Sequence, residues 1–127
     1  MRASLPSRFT SDRFPRSLRL RHKRDYAQVF QDPCRSTDAS AVVLGKPNKR
    51  DIPRLGLAIS KRRVPHAVAR NRVKRLIRES FRTHQQQLRG LDVVIIGRPP
   101  IGDIETTDFF LSLECHWKKI RNRCDSS

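Results

Sequence analysis

The run Ala67-Val68-Ala69-Arg70-Asn71-Arg72-Val73-Lys74-Arg75-Leu76-Ile77-Arg78-Glu79-Ser80-Phe81-Arg82-Thr83-His84 carries a helical period and two chemically opposite sides. On a wheel of about 100° per residue, Ala69, Val73, Leu76, Ile77 and Ser80 fall in one arc, with Phe81 at its border. Arg70, Lys74, Arg78 and Arg82 form one i, i+4 row on the other side, flanked by Asn71 and Arg75. An apolar stripe of this width packs on a sheet or another helix. The opposite row repels itself, because like charges at i, i+4 cost roughly 0.2–0.5 kcal/mol each in an isolated helix. Glu79 is the one acid among these positions. Three successive repulsive steps do nothing for folding, whereas cations repeating every ~5.4 Å suit a phosphate backbone.

Outward from this helix, the chain alternates strands and helices. On the N-terminal side lies a basic connection, Ser60-Lys61-Arg62-Arg63-Val64-Pro65-His66. Before it, Leu55, Leu57 and Ile59 alternate with small residues, a strand with one face inward. Ser40 to Leu44 reads as another strand, and the polar link Asn48 to Pro53 predicts that the two pair as an antiparallel hairpin. Leu20 to Gln31 places Tyr26, Val29 and Phe30 on one stripe, a short amphipathic helix stopped at Pro33. On the C-terminal side, Asp92 to Gly97 contains Val93, Val94, Ile95 and Ile96 in succession, the pattern of a strand covered on both faces. Arg98-Pro99-Pro100 ends it. A last helix begins near Asp108, whose charge favours a helix start. It would bury Phe109 or Phe110, Leu113, Trp117 and Ile120. The order α-β-β-α-β-α predicts one α+β domain, an α/β sandwich, over residues 14–121. Residues 1–13 are expected to form a disordered basic tail and 122–127 a flexible C-terminal one.

Composition narrows the partner. Lys and Arg total 28 against 12 Asp and Glu, a formal charge of +16 on 127 residues. Self-repulsion of that size favours association with a polyanion, and each phosphate neutralised also releases a condensed counterion. Arginine dominates, and its guanidinium fork matches phosphate in a bidentate way and stacks on bases. No stretch approaches the ~18 apolar residues of a transmembrane helix, and the N-terminus lacks the apolar region of a secretory signal. A cytoplasmic location is expected. Cys34, Cys115 and Cys124 form no C-x-x-C pair, so free thiols are expected and no metal site is indicated. The acids are scattered, and His22, His66, His84 and His116 are isolated in sequence, so no nuclease centre is visible. Tyr26 and Phe30 have two readings: they anchor the first helix, or they stack on unpaired bases.

Residues Arg54-Leu55-Gly56-Leu57-Ala58-Ile59-Ser60-Lys61 and Ala67 to Phe81 together resemble the protein subunit of bacterial ribonuclease P. The signature R-N-R-x-K-R-x-x-R is matched by Arg70, Asn71, Arg72, Lys74, Arg75 and Arg78. Phe14-Pro15-Arg16, Arg24 to Phe30, Asp92 to Ile96 and Trp117 support it. The resemblance implies a fold like the second domain of ribosomal protein S5, with a left-handed β-α-β crossover where the general rule is right-handed. It implies an enzyme that removes the 5′ leader of precursor tRNA, with catalysis in an RNA subunit that binds Mg²⁺. Partners would be that catalytic RNA, bound 1:1 by a monomeric protein, and precursor tRNA. Arg70, Asn71, Arg72, Lys74, Arg75, Arg78 and Arg82 become candidates for catalytic-RNA contact. Tyr26, Phe30, Lys61, Arg62 and Arg63 become candidates for contact with the leader, on a different surface. Some members carry aromatics where this chain has Ala41-Val42-Val43-Leu44, so base stacking on that strand is not expected. Charge alone also fits a ribosomal or general RNA-binding protein, and a protein-only nuclease is a third reading.

Overall fold

The computed structural model describes residues 15–126. The expected basic tail, with Phe14, lies outside them. Seven main elements follow in order: α1 (Lys23–Phe30), β1 (Cys34–Thr37), β2 (Ala41–Pro47), β3 (Arg54–Ala58), α2 (Ala67–Thr83), β4 (Leu91–Gly97) and α3 (Thr106–Ser126). Short 3-10 turns occupy Arg16–Leu18 and Pro99–Asp103.

The four strands form one sheet in the order β1-β2-β4-β3. β2 is antiparallel to both β1 and β4, while β3 runs parallel to β4. This corrects the expected hairpin: β2 and β3 are not neighbours, because β4 lies between them. Val93 and Ile95 point to one face of the sheet and Val94 and Ile96 to the other, so β4 needs cover on both sides and takes an interior position. The Asn48–Pro53 link crosses the end of β4. There the Asn48 amide N–H donates to Gly90 O at 2.8 Å, and its side-chain Nδ2 donates to Asp92 Oδ1 at 2.9 Å. Arg54 locks β3 beside β4, donating from Nε to Asp92 Oδ1 at 2.9 Å and from Nη2 to Oδ2 at 2.7 Å. Asp25 of α1 lies 3.7 Å from the same guanidinium.

β1 is an addition to the expected order. Its sequence, Cys-Arg-Ser-Thr, has no apolar alternation, and turn chemistry creates it. Asp38 Oδ1 accepts the Ser40 and Ala41 amides at 2.8 and 2.9 Å, closing the β1–β2 turn. The first helix is shorter than the expected Leu20–Gln31. Leu20 is extended instead, its amide donating to Leu55 O at 2.9 Å along the edge of β3.

One face of the sheet carries the main core. Val73, Leu76, Ile77 and Phe81 of α2 meet Phe109, Leu113, Trp117 and Ile120 of α3 there. Phe109 is the buried member of the Phe109–Phe110 pair. Phe81 and Trp117 pack edge-to-face at 5.8 Å. Trp117 Nε1 donates to the buried Ser80 Oγ at 2.9 Å. That bond explains the serine in the apolar arc, since an unpaired buried N–H costs about 1–3 kcal/mol. Gly45 lets α3 close on the sheet: a Cβ there would lie 2.5 Å from Ile120 Cγ2. The opposite face is covered by α1 and the segment before it, where Val29 and Leu20 join Leu44 and Val94.

The C-terminal boundary also changes. Residues 122–126, expected as a flexible tail, continue α3, because Cys124 is buried and Arg121 ties the last turns down. Arg121 Nη1 donates to Gln87 O and Arg89 O, and its Nη2 pairs with Asp125 at 2.9 Å. Cys34, Cys115 and Cys124 form no disulfide.

His116, isolated in sequence, is buried against the β1–β2 turn. Its Nδ1 lies 2.7 Å from Ser36 Oγ and its Nε2 2.9 Å from Asp38 Oδ2, which also accepts from Ser112 Oγ. Burial pushes the His116 pKa down, and this outweighs the opposing pull of Asp38. The unfolded chain therefore binds the proton more readily, so stability is complete above about pH 6.5 and falls as pH drops towards the lower folded value. We expect the thermal midpoint of the wild-type protein to fall between pH 7.5 and 5.5, and His116→Gln to flatten that slope. Identical slopes in the two proteins would show that His116 does not govern this transition.

Candidate nucleic-acid interface

α2 presents its cations because its other side is committed to the core, but the structure sorts them. Arg70 Nη1 donates to Val64 O at 2.9 Å and Pro65 O at 3.0 Å, bracing the connection that enters the helix. Arg72 Nη2 donates to Ile104 O at 2.7 Å and Thr106 Oγ1 at 3.0 Å, fastening the start of α3. Arg82 pairs with Glu79 at 2.7 Å. Asn71, Lys74, Arg75 and Arg78 make no side-chain hydrogen bond or ion pair among the described residues. Asn71 and Arg75 are exposed, while Lys74 and Arg78 are half-buried. The row that looked uniform on a wheel is thus two braces, one local ion pair and a group of uncommitted side chains.

Lys74 and Arg78 face a cleft of about 540 Å³ along the outer edge of β3. Arg19, Leu20, Tyr26 and Leu57 complete its walls. Tyr26 reaches it because β3 has Gly56 opposite: a Cβ there would stand 2.6 Å from the tyrosine ring. The ring therefore packs on backbone while part of it remains accessible. Burial, and after it the nearby Arg19 charge, pushes the Arg78 pKa down. An anion in the cleft would oppose both by favouring the charged guanidinium. Sequence reasoning placed the helix row and Tyr26 on different surfaces, whereas the fold brings Lys74, Arg78 and Tyr26 into one cleft.

A second depression, of about 620 Å³, lies at the far end of β3. It has an apolar floor of Leu57, Ile59 and Ile96, with Arg62 and Arg63 at its rim. Arg63 is partly committed, donating from Nη1 to Gly97 O at 3.1 Å. Lys61 is exposed beside it. On α1, Val29 is the anchor and is wholly buried, whereas Phe30 is 50% exposed. The two readings of the aromatics therefore divide: Tyr26 has a packing role and an accessible edge, and Phe30 is chiefly a surface ring.

The N-terminal arginines were absent from the sequence-based site. Arg16 and Arg19 line the Tyr26 cleft, yet neither belongs to a periodic segment; the Leu20–Leu55 backbone bond and the burial of Leu18 and Leu20 bring them there. Ser36, His116 and Asp38 superficially share the residue types of a hydrolase triad. Ser36 is buried, however, and Asp38 is occupied in closing a turn, so the group serves the fold. No group of three or more His, Cys, Asp or Glu converges among the described residues. None of their helices is long and apolar enough to cross a membrane.

The family model described as Ribonuclease P matches residues 14–121, which include the cleft, α2 and the whole sheet. The chain belongs to the ribonuclease P protein family. It is 45% identical over 114 residues to the ribonuclease P protein component of Methylococcus capsulatus, covering 90% of this chain and 89% of the relative. To that of Thioalkalivibrio sulfidiphilus it is 43% identical, covering 87% and 92%. Among solved structures, the Staphylococcus aureus RNase P protein superposes with a TM-score of 0.73 at 32% identity, covering 80% of this chain and 93% of that one. The Thermotoga maritima RNase P protein, in complex with a thiourea compound, superposes at 0.72 and 28% identity, covering 80% and 98%. Ribonuclease P membership separates this chain from the ribosomal reading that charge alone allowed, and makes it a component of an endoribonuclease with an RNA partner.

The sorting of α2 is testable. Arg75→Ala should leave the thermal midpoint unchanged and lower the salt slope of RNA binding by about one. Arg72→Ala should instead destabilise the fold by about 1–2 kcal/mol in denaturant titrations, having lost two hydrogen bonds from a charged donor. If Arg72→Ala left stability intact and Arg75→Ala left the slope intact, this division would be wrong.

Proposed function

We propose that this chain is the protein subunit of a bacterial ribonuclease P holoenzyme that removes the 5′ leader from precursor tRNA in the cytoplasm. In this reading the bond is cut in the catalytic RNA, which holds the Mg²⁺, and the protein binds as one copy per RNA. The observation that carries the proposal is the Tyr26 cleft. Uncommitted cations of the signature helix, Lys74 and Arg78, stand there beside an aromatic ring and apolar side chains. Cations along a backbone path with rings for the bases are what single-stranded RNA needs, and such binding requires little sequence preference.

Arg75 and Asn71, outward on α2, are assigned to the catalytic RNA. Tyr26, Phe30 and the basic connection Lys61-Arg62-Arg63 are assigned to the leader, with Lys74 and Arg78 between the two. The protein's own chemistry is electrostatic. It lowers the repulsion between two polyanions and holds the leader extended, so that precursor is favoured over mature tRNA.

Reconstitution tests this directly. Purified protein incubated with precursor tRNA and Mg²⁺ should release no leader, and addition of the catalytic RNA should produce a mature 5′ end. Cleavage by the protein alone would overturn the assignment of catalysis to RNA. In the same holoenzyme, Phe30→Ala should weaken binding of leader-bearing precursor by about 1–3 kcal/mol and leave mature tRNA unaffected. Equal losses for both substrates would return Phe30 to a structural role.

A further inference from the structure

A second cationic site adjoins the Tyr26 cleft and contains none of the signature residues. It is a cup of about 350 Å³, where the segment before α1 meets the link between β2 and β3. Arg16, Arg19, Arg21 and Arg24 line it from one side and Arg50 from the other, with Arg54 beneath. Arg54 is already neutralised by Asp92 at 2.7 Å and by Asp25 at 3.7 Å. Asp25 is also the one carboxylate in the lining. Arg16, Arg21, Arg24 and Arg50 are exposed, and their side chains make no hydrogen bond or ion pair among the described residues. The cup therefore concentrates positive charge that the fold does not use.

The segment is held rigidly. Leu18 is buried in the main core and Leu20 beneath α1, so the segment is anchored on both faces of the sheet while Arg19 and Arg21 line the cup. The backbone is fixed by Leu18 N to Pro15 O, Arg19 N to Arg16 O and Leu20 N to Leu55 O. Such preorganisation reduces the ordering cost of binding. Arg16, Arg19 and Arg21 line both the cup and the Tyr26 cleft, so the two are adjoining chambers. The cleft adds a ring and leucines to the arginines that the two share, and the cup adds Arg24 and Arg50.

We propose that the arginine cup binds consecutive phosphates of the single-stranded RNA whose base occupies the Tyr26 cleft. This makes Arg16–Arg24 and Arg50 part of one continuous RNA path. The inference rests on the RNA-binding reading above and extends it to residues outside the signature helix. The strand has two possible sources, the 5′ leader or an unpaired segment of the catalytic RNA, and the shared chemistry is a flexible phosphodiester chain.

The test uses the full chain with Arg21→Ala/Arg50→Ala, and independently Arg24→Glu, all at exposed positions. The first probe is a labelled single-stranded oligoribonucleotide bound to the protein alone over a range of salt. Removing two arginines should lower the salt slope by about 1.4, an affinity loss of roughly tenfold at about 0.15 M salt relative to 1 M. The Arg21→Lys/Arg50→Lys pair should restore the slope, separating charge from folding. In the reconstituted holoenzyme, a loss confined to long-leader precursor assigns the cup to the leader. A loss in affinity for the catalytic RNA itself assigns it to that RNA. Wild-type slope and affinity for all three probes, in both the alanine pair and Arg24→Glu, would overturn the proposal. Because the oligonucleotide experiment needs no catalysis, absence of cleavage by the wild-type mixture would count against the ribonuclease P reading alone.

Discussion

Strand β4 is apolar on both faces, and most of the architecture answers that constraint. Burying Val93 and Ile95 requires α2 and α3 on one side of the sheet, and burying Val94 requires α1 on the other. Lateral cover comes from β2 and β3, so β3 lies parallel to β4 at the sheet edge. A single buried carboxylate makes this placement specific. Asp92 accepts from Arg54 and Asn48 together, fixing β3 in register and the preceding link across the end of β4. Once desolvated, that carboxylate demands those partners, since removing one partner of a buried charge pair costs about 3–5 kcal/mol.

The two faces are covered unequally, and function follows from the inequality. Two long helices seal the main core, whereas the single short α1 leaves Val42 and Ile96 half-buried, and beyond the Leu20–Leu55 bond the outer edge of β3 is open at the half-buried Leu57. The open edge is where cations gather from sequence-remote segments: Lys74 and Arg78 from α2, Arg19 from the N-terminal turn. An edge strand flanked by charge in this way is guarded against pairing with another strand. It offers a polyanion a groove with aromatic and apolar surface at its base.

Charge that looks alike in sequence separates into two uses in the fold. Backbone carbonyls claim Arg70, Arg72 and Arg63, whose forked donors can satisfy helix-flanking and loop oxygens at several positions at once. Arg75, Arg78 and Lys74 have no such claimants among the described residues, so the fold leaves their donors uncommitted. A signature rich in arginine can therefore be partly a folding signal and partly a recognition surface within one helix.

Local chemistry in the chain was enough to specify α2, β4 and α3, together with the apolar residues they bury. Hydrophobic period is a property of near neighbours, and Val73, Ile77, Leu113 and Trp117 follow it. The R-N-R signature and the positive charge likewise pointed to RNA without any coordinates. Strand order, the existence of β1, the helical ending at Ser126 and the membership of the cleft were not legible in that way. β1 rests on the Asp38 turn, which no apolar pattern marks, and the others depend on bonds between distant residues: Arg54 with Asp92, Arg121 with Arg89, Leu20 with Leu55. Periodicity shows which side of an element is buried but not which neighbour buries it. Tertiary structure alone could therefore show which arginines the fold already uses and which it leaves uncommitted.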